Sequence, residues 1–211
     1  LHQVVLTEGF WIGKYEVTQK QWVQVMGRNP SIFNYPDHPV EKVSWNDCQD
    51  YIRKLNSMFP THKFRLPTEA EWEYCCRAGT TTKFNTGDEN SDLDRAGWHG
   101  GNSEASTHPV GLKTPNQWGL YDMHGNVEEW CSDFYGPYPT GTVTNPSGAT
   151  SGGSLNARVT RGQTWAGNYP YDGGCGRQLA HGIEPYWSSA YQGVRLVCTP
   201  LSGDGENVGG N

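Results

Sequence analysis

Trp45, Cys48, Ile52, Leu55 and Phe59 recur at intervals of three and four residues, with Asp50, Arg53 and Lys54 between them. That spacing gathers the apolar side chains on one side of an α-helix, so the segment predicts a helix with one face in a core and one in water. Its start is written in side-chain chemistry. The Ser44 hydroxyl can accept from the amide of Asp47 while the Asp47 carboxylate reaches back to the amide of Ser44. The same box stands at Thr18 with Gln21 and at Thr68 with Glu71. The first predicts a helix over 19–26 ended by Gly27. The third follows Pro67 and predicts a helix over 69–78 that stops before Gly79, because glycine enters the left-handed region at a helix end without a steric penalty.

From Gly79 onward the helical period disappears, and short candidate strands alternate with Gly, Asn, Pro and Asp. Val127 to Cys131, Arg158 to Arg161 and Val194 to Cys198 are the predicted strands, each too short to form a sheet alone. The fold class is therefore α+β, with helices early and a small, irregular, mainly antiparallel sheet late. No repeat or linker divides the chain, so residues 1–200 are expected to form one domain. Residues 201–211, rich in Gly, are expected to be a frayed tail.

At 211 residues the chain can bury about 70% of its surface without a disulfide or metal. The 27 Gly and 13 Pro follow no period, which favours loops and excludes collagen and coiled coil. A net charge of −6 with scattered basic residues argues against nucleic acid as a partner, since phosphate tracking needs clustered Lys and Arg. No run approaches a membrane span, so membrane association is expected only through an N-terminal anchor outside this sequence. Six cysteines form no C-x-x-C pair, and adjacent Cys75 and Cys76 read as buried helix residues. Trp22, Trp45, Trp72, Trp118 and Trp130 lie in or beside the predicted elements and read as core.

The order of short phrases is more specific. Phe10 to Thr18, His38-Pro39-Val40, Val43-Ser44-Trp45, Phe64-Arg65-Leu66-Pro67-Thr68-Glu69-Ala70-Glu71-Trp72-Glu73, Asn116 to Met123, Gly125-Asn126-Val127-Glu128-Glu129-Trp130, Arg158 to Gly162 and Gly193-Val194-Arg195-Leu196 follow one another along the chain. Together they resemble the formylglycine-generating enzyme, or sulfatase-modifying factor, family across nearly the whole length. The resemblance implies a single domain with a C-type-lectin-like fold of that subtype, loop-rich and poor in regular structure. The family also contains non-enzymes, so fold alone does not choose the function.

The family's oxidase uses two cysteines five residues apart to bind copper(I) and oxidise a substrate cysteine. Counted from Arg158, those places fall on Gly167 and Asp172, and Cys175 is the one thiol in the segment. No copper is expected, and the chain is expected not to be an enzyme. A sulfoxide-synthase relative would need a further helical domain carrying iron ligands. The alternative is a divergent oxidase, or another enzyme of the family, using Cys175.

Between Gln163 and Gln192 the family phrases lapse. Six of those thirty residues are Trp or Tyr, set among Gly, Ser and Asn. Binding loops use that mixture because rigid aromatics give contact area at low rotamer cost and small polar residues give adaptable hydrogen bonds. A kept framework around such an insert resembles the TvpA-type variable proteins of diversity-generating retroelements, which are bacterial surface lipoproteins. The resemblance implies a cell-surface or otherwise extracytoplasmic protein that binds a ligand, most simply a protein. The expected ligand-binding residues are Thr164, Ala166, Gly167, Asn168, Tyr169, Tyr171, Asp172, His181, Ile183, Tyr186, Trp187, Ser189 and Tyr191. Tyr169, Tyr171, Tyr186, Trp187 and Tyr191 are expected to be exposed, whereas Trp165 can be structural.

The family's calcium loop falls on the Gly-Asn-x-x-Glu-Trp phrase, which implies a structural calcium held by Asp122, Glu129 and the carbonyls of Gly125 and Val127. The opposing reading is that the two carboxylates only bind loop amides. Glu184-Pro185-Tyr186 and Trp45-Asn46-Asp47 look like sugar-lectin phrases, but both stand in the wrong place and Tyr186 replaces the coordinating amide. Carbohydrate binding by stacked aromatics stays open as a second alternative. No two of the seven His stand at metal-ligand spacing, and His38 and His108 read as loop hydrogen-bonding groups.

Overall fold

The computed structural model describes residues 3–167 and 182–200. All three capping boxes form. Thr18 opens α1 (Gln19–Met26), Ser44 opens α2 (Trp45–Met58) and Thr68 opens α3 (Glu69–Arg77). Gly27 ends α1 at φ 78°, and α3 closes with Ala78 itself in the left-handed region at φ 43°, one residue before the expected glycine. A fourth helix, α4 (Asn90–Ala96), corrects the expectation that helices end at Gly79. It buries just Leu93 and Ala96, too little for a periodic signal, and is tied by the Asp92 carboxylate to the Glu89 amide at 2.9 Å.

Among the described residues, eight short strands make three small sheets. β1 (Val4–Val5) pairs in parallel with β5 (Val143–Thr144). β8 (Val197–Pro200) runs antiparallel between β2 (Trp11–Ile12) and β3 (His62–Arg65). β4 (Glu128–Phe134) pairs antiparallel with β6 (Arg158–Arg161) and in parallel with β7 (Gln192–Gly193). Arg158 to Arg161 is the strand expected. The other two expectations shift: β4 starts one residue later and runs three further, and Val194 to Leu196 connect β7 to β8 without being strand.

Two apolar clusters hold these layers together. In one, Trp22 stacks on Tyr51 at 4.7 Å beneath α1 and α2, with Val40, Val43, Leu66 and Trp130. In the other, Trp72, Cys75 and Cys76 of α3 pack on Leu120, Met123, Cys131 and Val159. The helical stripe is as expected at Cys48 and Ile52, but Phe59 lies exposed at the C-cap of α2. Trp118 is a second correction: it is 48% exposed and meets Tyr74 edge-on instead of entering the core.

Candidate binding surface

β6 delivers the chain to the surface. Gly162 turns it at φ 87°, after which Gln163 and Thr164 bury and Trp165 lies across the opening. The backbone here is tightly tied. The Trp165 amide donates to the Asn126 carbonyl at 2.8 Å, the Ser103 hydroxyl to the Trp165 carbonyl at 2.6 Å, and the Gly100 amide to the Gly167 carbonyl at 3.0 Å. The chain returns through Ile183, whose amide and carbonyl bridge Arg158 at 3.1 and 2.8 Å. A loop over 184–191 follows, fixed from below at three carbonyls. Asn46 donates to Pro185 at 3.0 Å, Lys42 to Ser189 at 2.9 Å and Glu128 to Tyr191 at 2.8 Å.

What this rigid backbone holds out is aromatic. Tyr186, Trp187 and Tyr191 are 67%, 53% and 42% exposed. Trp165 supports them: its indole N–H donates to the Ala190 carbonyl at 2.9 Å and its ring lies 5.5 Å from Tyr191. The surface continues onto a segment that the sequence did not single out. Phe33 meets Trp165 edge-on at 5.2 Å, and Ile32 and Tyr35 beside it are 58% and 56% exposed. Buried Glu41 accepts from the amides of Ile32 and Phe33, and buried Gln19 accepts from the amide of Tyr35 at 3.0 Å. The local signal was two apolar residues and a tyrosine in the Pro- and Asn-rich stretch 30–36.

Three expected binding residues face inward or serve the frame. Thr164 is 8% exposed, its hydroxyl accepting from the Ala166 amide. Ile183 packs against the first core cluster. Ser189 spends its hydroxyl on Gln192 at 2.6 Å. Ala166 and Gly167 are half-buried at the edge of the surface. Asn168, Tyr169, Tyr171, Asp172 and His181 lie outside the described residues, as does Cys175. Of the two positions on which the family's thiols are expected to fall, Gly167 alone is described. Elsewhere, burial pushes the Cys48 and Cys131 thiols well up and Cys75 to about 12, so none of these three is a thiolate at neutral pH. His38 and His108 take loop partners, Thr107 Oγ1 at 2.9 Å and the Ser103 carbonyl at 2.8 Å.

Behind the surface lies a buried charge cluster. Arg195, fully buried, forks onto Glu129 with Nη2–Oε1 at 2.7 Å and Nε at 3.0 Å from both oxygens, and also donates to the carbonyls of Gly13 and Tyr121. Trp72 donates to Glu129 Oε2 at 2.6 Å. Asp122, at φ 61°, accepts from the Gly111 amide at 2.7 Å through Oδ2, while its buried Oδ1 has no partner among the described residues. Burial, opposed by the Gly111 bond and Arg195, pushes Asp122 up to about 6. Glu16 is raised by burial and by its neighbours Asp122 and Glu129. The donor set implied for calcium does not fit the ion. Both Glu129 oxygens are taken by Arg195 and Trp72, and the guanidinium already supplies positive charge to this cluster. The Val127 amide is used as well, donating to Glu16 at 3.2 Å. The orphaned Asp122 Oδ1 and the carbonyls of Gly125 and Val127 remain, too few for a cation that wants six to eight oxygens.

The loop-rich α+β frame, with a surface closed by β7 and β8, defines a class of scaffold with a C-type-lectin-like fold. The Sulfatase-modifying factor enzyme 1-like domain matches residues 1–200, and the chain belongs to the sulfatase-modifying factor, or formylglycine-generating enzyme, family. It is 31% identical to Chaperone protein LppX of Paenibacillus barcinonensis over 92% of this chain and 81% of that one. It is 36% identical to the formylglycine-generating enzyme of Streptomyces coelicolor over 74% of this chain and 50% of that one, so it spans about half the enzyme's length. Among solved structures it is similar to Treponema denticola variable protein 1, with a TM-score of 0.86 and 33% identity, covering 94% of this chain and 87% of that chain.

Proposed function

We propose that this chain is a non-catalytic binding protein that presents Tyr186, Trp187 and Tyr191 to a protein ligand at the cell surface. The observation that carries this reading is the combination of exposed rings with a backbone fixed at Pro185, Ser189 and Tyr191. Large apolar side chains left in water on a pre-ordered loop lose little conformational freedom on contact. The likeness to a variable protein supports diversification of the segment, and the cell-surface location rests on that same resemblance. Among the described residues, no helix is long and apolar enough to cross a membrane.

Four measurements test the reading. Sister copies of this gene from the same source should differ between about residues 160 and 192 and agree elsewhere; differences spread evenly over the chain would remove diversification. A cysteine-bearing sulfatase peptide supplied with copper should yield no formylglycine. Product formation abolished by Cys175→Ala would establish the oxidase instead. Replacing Tyr186 and Trp187 together with Ala should leave Tm within a few degrees, because neither ring supports the core. Collapse of the fold would show that they are packing residues. Retention by immobilised oligosaccharides, lost in the same double variant, would transfer the surface to a carbohydrate ligand.

A further inference from the structure

A groove of about 1120 Å³ runs between the N-terminal segment, α3 and the loop after β4, and shares no residue with the aromatic display. Tyr74 and Trp118, 53% and 48% exposed, stand at its rim with ring centroids 4.8 Å apart. Four carboxylates line it, those of Glu8, Glu69, Glu73 and Asp133, and two are already answered by guanidinium groups. Glu73 pairs with Arg77 at 2.9 Å and with Arg161 at 2.8 Å, and Arg161 also lies 3.6 Å from Glu69.

Asp133 differs. It is 3% exposed, and its Oδ2 accepts from the amide of Glu69, the first residue of α3, at 3.0 Å and from the Ser132 hydroxyl at 3.1 Å. Its Oδ1 takes no hydrogen bond from any described residue, and Asp133 lines the groove. Gly148 stands over that oxygen: a Cβ there would lie 3.0 Å from Oδ1 and 2.6 Å from the Asp133 Cβ. At φ 85° the position also suits glycine, so the absent side chain leaves Oδ1 open to the groove. The Arg158 guanidinium, which feels the charge of Asp133, is held elsewhere, between the rings of Trp45 and Phe134 at 4.1 and 3.5 Å and bonded to the Ser132 carbonyl at 2.7 Å.

We propose that this groove binds an alkylammonium group, with Asp133 Oδ1 accepting its N–H and the Tyr74–Trp118 pair covering its apolar stem. A fixed carboxylate with a free oxygen gives a charge-assisted bond, and aromatic faces attract the polarised methylenes and the cation itself. The volume accommodates a free amine or a lysine side chain carried on a peptide. The proposal uses nothing from the aromatic display, so its failure would leave that reading untouched.

Calorimetric titration of the full chain with 1-aminobutane, with Nα-acetyl-lysine methylamide and with the Nε-acetylated form of the latter tests it. At least one amine should bind saturably and the uncharged compound should not. Tighter binding of the lysine compound assigns a peptide side chain, whereas equal binding assigns free amines. Asp133→Asn should weaken the amine at least tenfold, and Trp118→Ala several-fold with Tm unchanged. Absence of amine binding by the wild type, or full binding by Asp133→Asn, overturns the proposal. Should Asp133→Asn fail to fold, Trp118→Ala decides, and unaltered amine affinity in that variant overturns it too.

Discussion

Trp165 and Trp187 show how one residue type takes opposite tasks on neighbouring strips of chain. The Trp165 indole spends its single donor on the Ala190 carbonyl and touches both Phe33 and Tyr191, so it joins the two loops of the display. Trp187 is 53% exposed, its backbone amide closing a turn onto the Glu184 carbonyl at 3.0 Å. Trp165→Phe keeps most of the ring contact but leaves the Ala190 carbonyl without its partner. The expected cost is about 1 kcal/mol, the usual net worth of such a bond. Chemical denaturation would read it as a lower midpoint at unchanged slope. A change in slope instead would mean that the loops had loosened as a unit.

At the scale of elements, the legible parts of this fold are those whose causes are local. The boxes Thr18–Gln21, Ser44–Asp47 and Thr68–Glu71 lie within one turn, and all three helices start where those residues place them. Ser44→Ala should therefore cost about 1 kcal/mol and lower Tm by about 2–4 °C, measurable by calorimetry. Strands of two residues such as β1, β5 and β7 have no such cause, because each exists through a partner far along the chain. The display was half legible for the same reason. The aromatic bias of residues 163–192 is a property of composition, but the addition of Ile32, Phe33 and Tyr35 depends on a ring contact with Trp165 and on Glu41 and Gln19 gripping their amides. That Thr164 buries and Ile183 packs on the core was not legible, because segment composition cannot tell which side chains of an irregular loop turn inward. Trp118 was misjudged because an indole beside a helix can cap a groove as well as fill a core.

At the scale of the whole molecule, the Arg195 cluster joins the N-terminal Gly13 and Glu16, α3 through Trp72, β4 through Glu129 and the link between β7 and β8. With Glu129 saturated by internal donors, Tm should be the same in calcium and in a chelator; a rise with calcium would reveal a donor arrangement other than the one described. The cluster also sets a pH dependence whose sign follows from Asp122. Its carboxyl is raised from the ordinary 3.8 to about 6 in the folded chain, so between those values the native state holds a proton that the unfolded chain has lost. Its contribution is fully present below about 3.8 and is lost as pH rises through about 6. The full difference corresponds to at most about 3 kcal/mol. Asp122→Asn keeps an acceptor for the Gly111 amide, tolerates φ 61° and places an amide that cannot ionise in the buried site. Relative to the wild type, the variant should gain stability steadily from pH 4 to pH 7 and no further above that, as read by urea midpoints at each pH. A difference that stays flat from pH 4 to 7 would mean that Arg195 already neutralises Asp122 as well as Glu129, and the carboxyl would then carry its charge in the folded chain at no cost.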